Sequence, residues 1–360
     1  MTQRERQVLQ LIEKNPLISQ QQIADALGIT RSSAAVHISN LSRKGLIAGR
    51  GYVLRSGSYA VVVGGVNVDI GGRSFEPLVA ADSNPGRVTM SFGGVGRNIA
   101  HNLSLLGTDV RLLTAYGDDA YGAQVAASCS ELGIDLSHAL RTSEAPTSTY
   151  VYLADNLGEM ALAVSDMSVC ERITPAYLAS QLPLLQNAQV VVADTNAPKE
   201  SLEFLAQNCN VPLFVDPVST AKAEKIRDIL PKIHTLKPNA LEAALLTGVE
   251  IHNTEDAKKA AKKLLSMGVH RVFISMGSSG VCAARGEECV VLPPVRGNRI
   301  NTTGCGDAFM AALTWAYLEG MDLEHTALAG LAAGSIAMES SETINPALCA
   351  AAVKKRMEQR

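Results

Sequence analysis

The first 55 residues carry apolar positions at helical spacing, in three short runs separated by turn residues. Val8, Leu9, Leu11 and Ile12 fall on one side of a helix over residues 3–14. Asn15-Pro16 ends it, because the residue before a proline is driven out of the helical region. Ser19 is placed to cap a second helix that turns Ile23, Ala26 and Leu27 inward and closes at Gly28. Thr30 caps a third helix running to Arg43, with Ala34, Ile38 and Leu41 on its inner face. Leu46-Ile47-Ala48 and Tyr52-Val53-Leu54 flank the tight Gly49-Arg50-Gly51 turn, the pattern of two paired strands.

From Tyr59 onward the pattern changes. Continuous apolar runs at Tyr59–Val66, Val110–Thr114, Val190–Ala193, Leu213–Val215 and Arg271–Ser275 read as buried strands. Helical stretches such as Val95–Leu106, Leu202–Gln207 and Asp256–Met267 lie between most of them. Such alternation predicts an α/β, doubly wound parallel sheet covered on both faces. Thr147–Ala154 and Met160–Val164 alternate like a hairpin, expected to form a small lid sheet with residues 71–90. From Gly304 the chain reads as mostly helical. The predicted division is residues 1–55, a Ser56-Gly57-Ser58 linker, and residues 59–360.

Composition supports a folded chain: 47% of the residues are hydrophobic and 19% charged. No apolar run approaches the roughly 20 residues of a membrane span, and the polar start is unlike a secretory signal. The seven cysteines show no C-x-x-C spacing and read as reduced thiols, which predicts a cytoplasmic protein. Scattered histidines offer no metal-ligand pair. Charge is what changes the picture. The net charge is −3, but residues 1–58 hold eight Lys/Arg against three acids, leaving −8 for the rest. A basic arm on an acidic body suggests a polyanion partner.

Helix, helix, turn, helix and strand pair is the layout of a winged helix. The stretch from Ile23 to Ile38 resembles the helix-turn-helix of bacterial regulators. That resemblance implies a third helix in the major groove of duplex DNA, with Arg31, Ser32, Ser33 and His37 facing bases or phosphates and Arg50 at the wing tip. A homodimer is expected if the site read is a palindrome. The same pattern also suits a three-helix interaction module with a solvated basic face; charge and pattern together favour DNA.

In the large domain, Asn301-Thr-Thr-Gly304-Cys305-Gly306-Asp307 stands just before an apolar helix. Glycines there let backbone N–H groups converge on an anion, helped by the helix dipole. Asp307 would repel a resting anion but is well placed to take a proton from a hydroxyl attacking it, which favours phosphoryl transfer. Alone, the run also suits a plain capping turn.

Four further elements follow a recognisable order. Ser91-Phe-Gly93-Gly94-Val-Gly96-Arg97-Asn98 and Gly304–Asp307 resemble the two signatures of the ribokinase-like (PfkB) kinases. Asn67-Val-Asp69 at the end of the first strand, Lys237-Pro-Asn239-Ala-Leu-Glu242 and Ser275-Met-Gly277-Ser-Ser-Gly280 resemble other elements of that family. The likeness spans residues 59 to about 350 and implies a ribokinase-like fold with a β lid and an ATP-dependent kinase. No Gly-Lys dipeptide occurs, which excludes a P-loop of the Walker type.

The resemblance implies the roles. Gly304, Cys305 and Gly306 form the anion hole and Asp307 is the general base. Asn239 and Glu242 organise Mg²⁺, through water. Ser275, Gly277 and Gly280 line the ATP site. Asn67, Asp69, Gly93, Gly94 and Asn98 hold the acceptor hydroxyls. Two positions depart from the family. Asn301 stands where an aspartate associated with a monovalent cation is common, which argues against strong K⁺ activation, although carbonyls such as that of Thr303 can still ligate K⁺. Cys305 replaces a small alanine, and a thiol at a helix N-terminus is expected to be acidic and oxidisable.

Ala81–Gly86, Gly93–Asn98, Val192–Asn196 and Phe214–Ser219 resemble bacterial kinases of pseudouridine more than kinases of sugars. This implies a nucleoside acceptor, pseudouridine first, phosphorylated on its 5′-hydroxyl, with inosine, cytidine, uridine or a sugar as alternatives. Asp82, Ser83 and Asn84 are expected to offer polar groups to the base. A ligand-sensing transcription regulator with a kinase-like domain is the competing reading. The intact Asp307, Asn239 and Glu242 favour an enzyme with a regulatory DNA-binding arm.

Overall fold

The computed structural model describes residues 2–15, 18–47 and 59–359, which form two separate units divided after Ser58. In the N-terminal unit, three helices span Gln3–Lys14, Gln20–Leu27 and Arg31–Arg43. Each begins on the residue that can cap it. Thr2 and Ser19 form reciprocal capping boxes with Glu5 and Gln22, and the Thr30 hydroxyl accepts the Ser33 N–H. Gly28 ends the second helix in the left-handed region at φ 62°. Val8, Ile12, Ile23, Ala34, Ile38 and Leu41 close the core. One expected inward residue is corrected: Ala26 is exposed and Ala24 is buried in its place. The phase of the short helix follows its neighbours, and both alanines suit the pattern. Of the expected strand pair only Leu46 and Ile47 are described; residues 48–54, with Arg50, and the 56–58 linker lie outside the described residues.

The second unit is built on β1 (Tyr59–Val63), β2 (Asn67–Ser74), β3 (Gly86–Gly93), β4 (Asp109–Leu113), β5 (Ala115–Gly117), β6 (Ile134–Asp135), β7 (Leu140–Thr142), β8 (Thr149–Ala154) and β9 (Met160–Asp166). It continues with β10 (Val190–Asp194), β11 (Leu213–Asp216), β12 (Thr235–Leu236), β13 (Arg271–Ser275), β14 (Val281–Arg285) and β15 (Glu288–Leu292). The main sheet has the order β15-β14-β13-β12-β11-β10-β1-β4-β6. Seven strands run parallel. β14 and β15 add an antiparallel edge, a departure from the expected all-parallel sheet. Helices cover both faces, so strands such as β1 are apolar throughout. Tyr59, Val61 and Val63 enter one core, and Ala60 and Val62 the other.

β3, β2, β8 and β9 form a separate four-stranded lid, and β5 pairs β7. Register puts Asp69, Ser91 and Tyr150 on one lid face and Ile70, Met90 and Val151 on the other. Strand order reverses around β1, which lies between β10 and β4. In open α/β sheets, ligands bind beyond the carboxyl ends of the strands at such a switch point. Among the described residues no helix is long and apolar enough to cross a membrane.

Candidate active site

The helix Cys305–Leu318 starts at the carboxyl edge of the main sheet. Its N-cap, Gly304, is left-handed at φ 83°, and a Cβ there would lie 2.1 Å from the Thr343 carbonyl oxygen, so only glycine fits. Residues Ala308 to Ala316 are all buried, which anchors the helix and fixes its first turn. Asp307 projects from that turn, partly reachable by solvent. It accepts a hydrogen bond at 2.8 Å from Asn98 Nδ2, on the helix Val95–Leu105 that follows the glycine pair. The two signatures, 209 residues apart, therefore meet in one hydrogen bond.

Asp307 is pushed up to about 7, first by burial and then by the neighbouring carboxylates of Asp216 and Asp194; the Asn98 bond and Lys237 oppose the rise. A carboxylate tuned near neutral pH suits a general base. Lys237 lies behind the anion hole, its Nζ 3.2 Å from Asp216 Oδ2 and 3.5 Å from where a Gly306 Cβ would sit. Burial alone would depress the ammonium, but Asp216, Glu242 and Asp307 outweigh it and hold it charged. Asp216 is oriented by the Val218 N–H at 3.0 Å, from a turn in which this β-branched residue takes φ 63°. Such strain in a β-branched residue persists only where surrounding structure over-determines it.

Asn239 and Glu242 form a reciprocal capping box at the helix Ala240–Thr247, with three bonds of 2.9 Å. Burial raises the Glu242 carboxyl. Asn239 also bridges Ser275 at the end of β13. These two residues and Leu241, Ile251, His252 and Gly277 line a cleft of about 280 Å³. Leu241 is 70% exposed there, an apolar surface free to cover a flat base. Gly280 sits at φ 87° with no room for a Cβ against the Leu292 carbonyl, which shapes the turn.

The acceptor residues converge from the lid. Asn67-Val-Asp69 opens β2 and does not end the first strand as expected: β1 stops at Val63, and Gly64-Gly65-Val66 breaks the run. Asn67 Nδ2 donates to Asp69 Oδ1 at 2.6 Å, and burial raises the Asp69 carboxyl. A Cβ at Gly93 would lie 2.2 Å from Asp69 Oδ2. Gly94, at φ 98°, lets the helix start pack on Gly65 and Val66. Asn98 Oδ1 is buried with no hydrogen-bond partner among the described residues, so it can accept from a bound hydroxyl.

One expectation is revised. Cys305 is not acidified: burial and the Asp307 charge push its thiol up. Asn301 spends its side chain locally, donating to the Ser341 carbonyl and accepting the Thr303 N–H. Asn84 uses both ends of its amide inside the lid turn, and Asp82 accepts the Ser83 N–H through Oδ1, so Asn84 is committed to the turn while Asp82 and Ser83 stay exposed. Ser33 is tied to Thr30. His37 is half-buried, with Nδ1 unpartnered among the described residues, whereas Arg31 and Ser32 are exposed.

Three residues were missed as site residues: Asp194, Asp216 and Lys237. Asp194 ends β10, accepts the Gly65 and Asn196 N–H groups at 3.0 and 2.7 Å, and leaves no room for a Cβ at Gly64. Burial pushes it up to about 6. An available signal was that Asp194 and Asp216 are each the last residue of an apolar strand run, where α/β sheets place functional groups.

Fold and site together define a phosphotransferase whose acceptor is an alcohol. Residues 58–349 match the pfkB family of carbohydrate kinases, and residues 1–48 match a winged helix-turn-helix DNA-binding family. The chain belongs to the pfkB carbohydrate kinase family. It is 41% identical to the pseudouridine kinase of Escherichia coli over 307 residues, covering 85% of this chain and 98% of that one. It is 39% identical to the E. coli uncharacterized sugar kinase YeiI over 352 residues, 97% of both chains. A solved carbohydrate kinase from Agrobacterium tumefaciens superposes with TM-score 0.75 at 28% identity, covering 84% of this chain and 98% of that one.

Proposed function

We propose that this kinase transfers the γ-phosphoryl group of ATP to the 5′-hydroxyl of a nucleoside, with pseudouridine the first choice. The observation that carries the chemistry is the Asn98–Asp307 bond at 2.8 Å, which sets an acceptor-side group against the base at the mouth of the anion hole. Asp69 takes the ribose 2′- and 3′-hydroxyls, because a carboxylate accepts two hydrogen bonds at once. Asn98 Oδ1 orients the acceptor. Asp307 receives the proton of the 5′-hydroxyl as its oxygen bonds to phosphorus and the bond to ADP breaks. The Gly304–Gly306 backbone and Lys237 face the charge that spreads over the phosphoryl oxygens.

Kinases of this family use ATP, typically with Mg²⁺. Among the described residues no three His, Cys, Asp or Glu side chains are arranged to hold a metal. Glu242 and Asn239, whose polar atoms are paired with each other, would therefore hold Mg²⁺ through water. The ion supplies charge neutralisation. A K⁺ near Asn301 and the Thr303 carbonyl, if bound, would act without a side-chain charge.

The choice of pseudouridine is supported by the likeness to the E. coli enzyme of that name along most of the chain. The test is kcat/KM for pseudouridine, uridine, cytidine, inosine and ribose under one Mg²⁺-ATP condition. If pseudouridine is not the best of these, the assignment fails while the kinase stands. We assign the N-terminal unit to duplex DNA and the whole chain to a homodimer. The first rests on the basic charge and the winged-helix match. The second rests on Val88, Met90, Val151, Leu153, Leu162 and Val164, which all lie exposed on the lid face away from Asp69.

A further inference from the structure

We propose that Val36 reads thymine, its side chain meeting the 5-methyl group in the DNA major groove; this rests on the DNA-binding reading above. The third helix, Arg31–Arg43, buries Ala34, Ile38 and Leu41. At 100° per residue, Ser32, Val36, Ser39 and Arg43 form the stripe opposite that face, with all four exposed. Ser33 and His37 lie a quarter to a third of a turn away from the stripe, toward the buried side.

Val36 is 57% exposed and is the only large apolar side chain exposed among the described residues of this unit. A β-branched residue lowers helix propensity, and at an exposed position no packing returns that cost. Ser32 and Ser39 on either side are short, so the valine methyls protrude between them. Arg31 and Arg43, at the two ends of the helix, are exposed and positioned for phosphates. Residues 1–58 hold eight Lys/Arg against three acids, which suits a polyanion and not an acidic-poor protein surface. The apolar feature on the major-groove edge of the base pairs is the thymine methyl, so a lone valine on this stripe has one matching partner there.

The full chain would be used to select duplexes from a random pool, and each thymine of the selected site would then be replaced by uracil, which removes only the methyl. At one or more positions the wild-type chain should bind about fourfold more weakly, the effect of exposing one methyl group. The Val36→Ala chain, which keeps only the Cβ methyl, should distinguish that uracil duplex from its thymine parent less than wild type does. Wild-type binding that ignores every uracil replacement overturns the inference. So does a Val36→Ala chain that remains as sensitive as wild type. Failure to select any duplex would instead defeat the DNA-binding reading itself, and this inference with it.

Discussion

Replacing Asn98 with alanine should move the pH dependence of the kinase, not only its rate. In the native site Asn98 Nδ2 donates at 2.8 Å to Asp307, whose carboxyl is held near 7. That bond favours the ionised form, so its loss raises the carboxyl further. A hydrogen bond to a charged group contributes about 1.5–3 kcal/mol. Asp307 is partly reached by solvent, so the lower end applies. About 1.4 kcal/mol is one pH unit, which places the midpoint of the variant at about 8. The sign follows: the base is protonated over a wider range, and the acid limb of kcat/KM shifts to higher pH. At pH 7 the ionised fraction falls from about a half to about a tenth, a roughly fivefold loss that disappears by about pH 9. The assay is kcat/KM for the nucleoside from pH 5.5 to 9.5, by coupled ADP release. A lower plateau is expected too, since Asn98 Oδ1 is lost to the acceptor. If the limb midpoint does not move, Asn98 does not tune Asp307 and the base assignment loses its main support.

Asp307→Asn should cut kcat by about 10²–10⁴ with ATP binding retained, and near-wild-type turnover would remove Asp307 from the base role. The same variant should melt above wild type at pH 8. The native carboxyl is raised to about 7, so its ionised form opposes folding at that pH, and the gap should close as pH falls below 7. Gly93→Ala places a Cβ 2.2 Å from Asp69 Oδ2, so the carboxylate must swing away. The acceptor KM should rise about 10–100-fold with little change in melting temperature, and an unchanged KM would free Asp69 of that role. DNA affinity of the full chain should fall steeply between about 50 and 200 mM salt; a flat response would exclude phosphate contacts by the basic arm.

Local chemistry made much of this protein legible in the chain. Ser19 and Thr30 cap the helices they precede, because capping involves only neighbours within three residues. The glycine signatures could be read for the same reason: a left-handed Gly304 before a helix is a local demand. Boundaries inside apolar runs were harder. Gly64-Gly65-Val66 continues the hydrophobic pattern of β1, so the break before Asn67 is hidden. It exists because the Asp194 carboxylate, 129 residues on from Gly65, takes the Gly65 N–H and fills the space beside Gly64. Ala24 and Ala26 are equal as letters, and only the packing of the second helix chose between them. The electrostatics belonged wholly to the tertiary structure. Asp194, Asp216 and Lys237 end or follow three separate strands and become neighbours of Asp307 only when the sheet forms. Burial and the Asp216 and Asp194 charges raise Asp307 against the pull of Lys237, and burial and the Asp307 charge in turn raise the Cys305 thiol, where the helix N-terminus alone would have lowered it. Charge interactions and burial act across space, so their balance is set by the fold.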